Sequence, residues 1–396
     1  MSTPTEKEKK IVVVGAGMVG LGIALSLAKS SYDGIIEVME RRPNKVDRRG
    51  SAYSLAPNGQ KAMQYISPSV LEHCHKVGIY MSMNGGLLLP WFAVRDQLYK
   101  ECCEMPNVRI QAGYQVSKIE QTDSNVMIHI NDSDEVILCD ALIAADGVRS
   151  TVRRCLELVP AEFMGSTVWR GIIDTNKAGS KLFDIHETKF PKEHPIIPMR
   201  IGKKIQVFLF SFHAQNPGTL AWLMEAPSKE QLDASKITPL QYLQQAEEWA
   251  TTPDETKETI ETVFGEANPK DFEWNSPFCT TPLPSWGGKG RVTLIGDAAH
   301  TIYPTSGLGG SMGFEDVVVL TRMLEKHSFE FEAAFRDFEE TRLPRVAFIS
   351  EEQIDRSRVF REAPKRSDVP AWSKEYKEWV YNGPDSPSTP IPKVYD

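Results

Sequence analysis

Apolar residues fall along this chain in short blocks of two kinds, and the two kinds predict two different sheets. Ile11–Val14, Ile35–Met39, Ala141–Ala145 and Arg291–Ile295 are near-continuous apolar runs that stop at a glycine or an acid. Runs without alternation are what strands buried on both faces carry, as in a parallel sheet. Leu21–Lys29 and the stretch from Met312 to Leu324 repeat their apolar residues at helical spacing. Strand, helix, strand at the start of the chain predicts a βαβ unit. The pattern then changes. Arg109–Ala112, Val116–Gln121, Asn125–Asn131 and Glu135–Leu138 alternate or cluster between polar turns, which predicts an antiparallel meander. Gly59–Ile66 and Ser69–Val77 read as helical pieces, and Trp91 opens a further helix with Arg95 near its first turn. From Pro160 to Pro284 come strands at Lys204–Phe212 and Leu220–Glu225, a helix at Leu240–Trp249 and many prolines, the pattern of a second, sheet-based domain. Phe331–Phe360 is helical with a kink expected at Pro344, and six prolines after Ala363 predict an extended tail.

The fold class that follows is mixed α/β. A Rossmann-like domain occupies 1–160, a sheet-based domain is inserted at 161–284, and the first domain resumes at 285–362 with C-terminal helices. An extended Pro-rich tail covers 363–396.

Chemistry gathers where the apolar runs end. After Val14 comes Gly15-Ala16-Gly17-Met18-Val19-Gly20, and Glu40 closes the second strand twenty residues later. In such a unit the first glycine makes the turn, the second admits a pyrophosphate to the backbone, the third packs helix on strand, and the acid takes ribose hydroxyls. Glu40 would repel a 2′-phosphate, so the site is one for FAD or NAD rather than NADP. The third run leads into Asp146-Gly147, with Ser150 placed to cap a helix holding Val152 and Arg153. The fourth leads into Gly296-Asp297 and then Pro304, Gly307, Gly309, Gly310 and Gly313 before a helix. Glycines let backbone N–H groups approach a ligand, and a helix N-terminus favours negative charge.

Composition narrows the classes. The 396 residues are 41% hydrophobic with a formal net charge of −8, which argues against a nucleic-acid partner. No apolar run reaches the roughly 18 residues of a membrane span. Cys74, Cys102, Cys103, Cys139, Cys155 and Cys279 form no CxxC pair or zinc spacing, which predicts a reducing cytoplasmic setting and no metal.

The ordered set GAGMVG with Glu40, ADGVRSTVR at 145–153 and GDAAHTIYPTSGLGG at 296–310 resembles the single-component FAD-dependent aromatic hydroxylases and monooxygenases. Para-hydroxybenzoate hydroxylase, salicylate hydroxylase and kynurenine monooxygenase are of this family. The resemblance implies tightly bound FAD, with NAD(P)H and O₂ as co-substrates and a flavin C4a-hydroperoxide that hydroxylates or epoxidises an electron-rich aromatic. No protein nucleophile is then expected. By position, Gly15, Gly17, Val19 and Gly20 meet the pyrophosphate, Glu40 and Arg41 the adenosine side, together with the Gln115-Val116 backbone. Arg95 meets the phosphate or ribityl region, and Asp297 the ribityl hydroxyls. Asp146 and Gly147 support the flavin and a transient nicotinamide, and Pro304, Gly307, Gly309 and Gly310 approach the flavin ring. His300 is expected to be a structural hydrogen-bonder. Leu308 and Ser311 stand where many relatives carry Gln and Asn, leaving the work there to backbone donors.

For a small-molecule aromatic substrate, the expected pocket wall is the inserted sheet, with Trp169, Phe208, Phe210 and Trp222 as aromatic lining. Arg170 and Arg200 are the candidate partners for a phenolate or carboxylate. The protein is expected as a monomer or homodimer. Two rival readings remain open at this level: an FAD-dependent oxidase or reductase without oxygen insertion, and a non-enzymatic binding protein resembling the GDP-dissociation inhibitors.

Overall fold

The computed structural model describes residues 9–43, 51–81, 85–176, 181–182, 185, 189–190, 196–212, 218–228, 236–267, 273–275, 278–279, 283–287, 290–302, 307–362 and 374–385. The chain opens with β1 (Lys10–Val14), α1 (Met18–Ala28) and β2 (Ile35–Glu40). Residues Gly20 to Leu27 of α1 are all buried. A helix apolar all round needs cover on every side, and α1 has it: Gly22 approaches Phe314 so closely that an added Cβ would lie 3.4 Å from its ring.

Next come β3 (Ala52–Leu55), α2 (Pro57–Ile66), α3 (Pro68–Val77), β4 (Ile79–Met81), β5 (Gly86–Pro90) and α4 (Trp91–Glu104). Prolines start α2 and α3, where the missing N–H costs nothing. The following strands are β6 (Val108–Ala112), β7 (Val116–Gln121), β8 (Val126–Ile130), β9 (Val136–Cys139) and β10 (Ala141–Ala144), and then α5 (Thr151–Cys155). The expected meander is three strands, not four. β6 leaves it and joins β2 in parallel, Glu40 facing Ala112, while β7, β8 and β9 form the antiparallel sheet. β6 is an edge strand with Arg109 exposed, and its half-polar look is that of an edge.

β11 (Glu162–Phe163) leads into the inserted sheet, built from β12 (Ser166–Asp174), β13 (Ile196–Ile201), β14 (Ile205–Ser211), β15 (Thr219–Pro227) and β16 (Glu273–Asn275) in the order β13-β14-β15-β12-β16. The helix expected at Leu240–Trp249 is two, α6 (Pro239–Gln245) and α7 (Glu247–Ala250), because Ala246 between them is extended. Thr238 and Gln241 start α6 with a reciprocal capping box. α8 (Asp254–Glu266) completes the layer on one face of this sheet.

β17 (Phe278–Cys279) pairs with β11, and β18 (Val292–Leu294) returns the chain to the first domain. Its parallel sheet has the order β18-β10-β1-β2-β6. α9 (Gly309–Lys326) and α10 (Phe331–Glu362) follow, and α10 runs on through Pro344. A proline inside a helix removes a backbone hydrogen bond at a cost of about 3 kcal/mol. Arg342 and Arg345 beside it are ion-paired to α9 and hold the helix there. The tail is not wholly extended as its prolines predict: α11 (Lys374–Tyr381) buries Trp379 and Val380. Trp379 stacks edge-on against Phe348 at 4.8 Å and lies under Arg345 at 4.7 Å.

Candidate cofactor site

In register, Val14, Ala144 and Leu294 are neighbours across the parallel sheet, and Val14 also faces Met39. Strands so aligned deliver every loop that follows them to one edge. Gly15–Gly17, Glu40, Asp146-Gly147 and Gly296-Asp297 therefore meet at the C-terminal end of the sheet, where open α/β sheets bind ligands.

Each loop is shaped by close approach. Gly15 has φ +103°, and a Cβ there would lie 2.5 Å from the Ala145 carbonyl oxygen; a Cβ on Gly20 would lie 1.9 Å from the Gly15 oxygen. Neither position accepts a side chain. Gly17 is different, because a Cβ there meets nothing within 4 Å. It caps α1 without any side-chain hydrogen bond, so the first N–H groups of that helix are left without a side-chain acceptor at the cap. Glu40 closes the loop from the other side, accepting from Ala16 N at 3.0 Å and Arg42 N at 2.9 Å. Arg41 is exposed beside it, and the Gly113–Val116 segment leaves β6 at the same end, with Tyr114 N donating to the Glu40 carbonyl at 3.0 Å.

Val19 has a second task. Its side chain fills the gap between Gly296 and Gly313, whose added Cβ atoms would fall 3.2 and 2.6 Å from Val19 methyls. The side chain thus packs the 296 turn onto α9. Arg95 is buried in α4, 3.2 Å from Asp96 and beneath the Tyr99 ring at 5.4 Å. Asp146 accepts from Thr151 N at 2.7 Å and Val152 N at 3.3 Å through one oxygen, while its other oxygen is buried without a hydrogen-bond partner. Burial pushes this carboxyl above the usual range against those donors.

Asp297 stands in the turn Gly296–Ala298. Its side chain is open to the cleft, yet protein surrounds the cleft, and this desolvation raises the carboxyl even though His300 and Arg170 pull it down. A Cβ on Gly309 would be 3.9 Å from its Oδ1, so Asp297 borders the start of α9. That helix also begins without a side-chain cap. Gly307 has φ +68°, and Gly310 lies against the Tyr53 ring. Pro304 lies outside the described residues. His300 is 2% exposed and its Nε2 is 2.6 Å from Asp316, a buried hydrogen bond between the 296 turn and α9.

Behind this edge is a charge cluster that the sequence reading does not contain. Glu315 accepts from Asn58 at 2.9 Å, from Arg342 at 2.6 Å, and from Arg345 at 2.8 and 2.7 Å. Asp316 accepts from Arg342 Nε at 2.8 Å and from Gly296 N at 2.8 Å. The signal was present: an adjacent Glu-Asp inside the apolar stretch 312–320, and two arginines three apart on the next helix, all of which must be paired if buried.

The inserted sheet faces the cleft with one side only. Trp169, Met224, Val207, Trp222 and Leu209 share the side covered by helices, where Trp222 packs on Phe264 at 4.9 Å and Trp169 on Tyr242 at 5.2 Å. Both tryptophans are fully buried, so neither lines a pocket, contrary to expectation. Gly171 exists for Trp222, since a Cβ there would be 2.8 Å from the indole. The opposite side carries Arg170, Leu223 and Phe208 in one row, and Ile172, Ala221 and Phe210 in the next. The second row packs on Ala52, Ile79, Met81 and Leu88 of the first domain. Arg170 is, with His300, one of the two cations that pull the Asp297 carboxyl down, so this row's charge acts on the turn. Arg200 is not there: exposed, it closes its own hairpin through two bonds to the Lys203 carbonyl at 3.2 and 2.6 Å.

The edge thus offers open space at Gly17, an acid for hydroxyls at Asp297, and two helix starts without side-chain caps, which fit FAD. The family model described as FAD binding domain matches residues 60–330. The chain is 23% identical to 3-hydroxybenzoate 6-hydroxylase from Klebsiella oxytoca, over 95% of this chain and 96% of that one. It is 26% identical to salicylate hydroxylase from Pseudomonas putida, over 80% and 77%. Among solved structures, CtdE in complex with FAD and a substrate superposes with a TM-score of 0.78 at 18% identity, covering 95% of each chain. The chain belongs to the FAD-binding domain family, the flavoprotein aromatic hydroxylases and monooxygenases that its motifs resemble, and FAD is its cofactor.

Proposed function

We propose that the protein uses NAD(P)H and O₂ to hydroxylate or epoxidise an electron-rich aromatic small molecule. The observation that carries this reading is the facing pair of surfaces. On one side lie Asp297 and the N–H groups at the start of α9; on the other, Phe208, Leu223 and Arg170 form an apolar row with a single cation. When bound, FAD supplies the electron transfer and oxygen chemistry. The protein's part is to bind, orient and exclude water. Gly15–Gly20 and Glu40 would hold the nucleotide half and Asp297 the ribityl chain, and the α9 N-terminus would supply positive potential to the bound cofactor. Phe208 and Leu223 present an apolar wall that shields the site from water, and Arg170 orients an anionic ring substituent.

Purified protein titrated with FAD is expected to develop the visible flavin absorbance. NAD(P)H consumption across a panel of phenols, indoles, quinolones and polyketides should then be stimulated by the substrate, with one atom of isotopically labelled O₂ appearing in product. Consumption without incorporated label would instead indicate the oxidase or reductase reading, and absence of flavin binding the non-enzymatic one.

The two sides of the inserted sheet should separate in the same assay. Phe208→Ala is expected to raise KM for the stimulating substrate with little change in FAD affinity. Trp222→Ala removes a fully buried side chain and should cost about 3–5 kcal/mol of stability, read by urea denaturation. A Phe208→Ala enzyme with unchanged KM would remove that row from the pocket.

A further inference from the structure

Arg153 is 2% exposed, as deeply buried as Arg342 and Arg345. Those two face carboxylates; Arg153 does not. Its Nε donates to the Val159 carbonyl at 2.8 Å and its Nη1 to the Ala298 carbonyl at 3.2 Å. Its Nη2 has no hydrogen-bond partner, and no acid lies within ion-pair distance of it among the described residues. Ser150 fixes the start of its helix by accepting from Arg153 N at 2.9 Å.

An arginine stays charged in a protein interior, and a buried charge without a counter-ion is destabilising by several kcal/mol. The Ala298 carbonyl is one residue from Asp297, so the charge sits directly behind the turn that borders the cleft. We propose that Arg153 is a positioning residue of the flavin site: it holds the Ala298 carbonyl, and its uncompensated charge favours reduced over oxidised flavin. The proposal rests on FAD occupying this site. Two electrons and one proton, delivered together as a hydride from the nicotinamide, leave one added negative charge on the flavin ring. A cation fixed in a low-dielectric wall stabilises that charge without reorganisation. Burial, which depresses the guanidinium pKa with no acid to offset it, agrees with a charge awaiting compensation from the cleft.

The test compares wild type, Arg153→Met and Arg153→Lys, each loaded with FAD, by midpoint potential against a reference dye and by FAD titration. Arg153→Met keeps the bulk and loses the charge; it is expected to lower the preference for reduced flavin about tenfold, which is about 30 mV for a two-electron couple. Arg153→Lys keeps the charge and should retain the preference within about twofold, while loss of the fork geometry weakens FAD binding in both redox states alike. A folded Arg153→Met protein with the wild-type potential overturns the proposal. So does an Arg153→Lys protein whose potential falls by about 30 mV, the tenfold loss expected of the methionine variant, and this second arm stands alone if the methionine variant does not fold. A purely structural role would lower stability and FAD affinity without moving the potential. Failure of wild type to bind FAD would sink the functional reading itself, before any variant is compared.

Discussion

Glu315→Gln is expected to destabilise the protein by about 3–5 kcal/mol, the cost of breaking a buried ion pair from one side. The carboxylate is fully buried and takes four hydrogen bonds from Asn58, Arg342 and Arg345. Glutamine preserves the shape but brings an N–H₂ group against a guanidinium, leaving a buried cation short of its partner. Urea denaturation followed by far-UV circular dichroism reads the change, and a loss under about 1 kcal/mol would show that solvent or rearrangement reaches the cluster.

The same cluster sets an acid limit. Burial alone would raise the Glu315 carboxyl, but Arg345 and Arg342 hold it below the usual carboxylate range. Asp316, equally buried, is held low by His300 and Arg342. A carboxyl depressed in the folded state binds fewer protons there than in the unfolded chain, so its contribution is present above the ordinary carboxylate range and is lost as pH falls through the folded pKa. The denaturation midpoint should therefore drop on acidification below about pH 5, and drop less steeply in Glu315→Gln, which has one such group fewer.

The second large effect falls on the cofactor. Asp297→Ala should weaken FAD binding by about 1.5–3 kcal/mol, the range for a hydrogen bond to a charged group, or roughly ten- to 150-fold in Kd. Because desolvation raises this carboxyl above the usual range, its ionised form is scarcest at low pH. The ionised form is the stronger acceptor, so FAD affinity should rise with pH through the Asp297 titration and then level. Asp297→Asn keeps an acceptor that does not titrate, so its FAD affinity should not vary with pH and should lie between those of wild type and Asp297→Ala above the Asp297 titration. Equal affinity in wild type and both variants would take Asp297 out of the site.

Much of this site can be read from the chain because its parts are punctuation. Gly15, Asp146 and Gly296 each end an apolar run, and glycine or an acid at the end of a parallel strand has few other uses. What escapes is anything decided by a partner distant in sequence. Trp222 and Phe208 both lie in apolar strands, and with both faces of the inserted sheet covered, alternation does not say which side meets the cleft; only the register with Gly171 and Leu223 does. β6 resembled the meander because an edge strand alternates like any half-exposed strand. The helix at Lys374–Tyr381 was hidden by its flanking prolines, and what draws it in is a contact with the core: Arg345 donating to the Trp379 and Val380 carbonyls at 3.5 and 2.8 Å.

That last contact also sets a schedule. The Arg345 guanidinium that bonds the Val380 carbonyl is bound as well to Glu315, whose helix neighbour Asp316 holds the Gly296 amide. On the ribosome, the turn bearing Asp297 emerges some 84 residues ahead of Val380, so at about 5–20 residues per second the nascent turn waits roughly 4–17 s for its last support. During that interval Arg345, already able to pair with Glu315, lacks only the Trp379 and Val380 carbonyls. Free FAD arriving early would meet a site whose rear wall is still being synthesised.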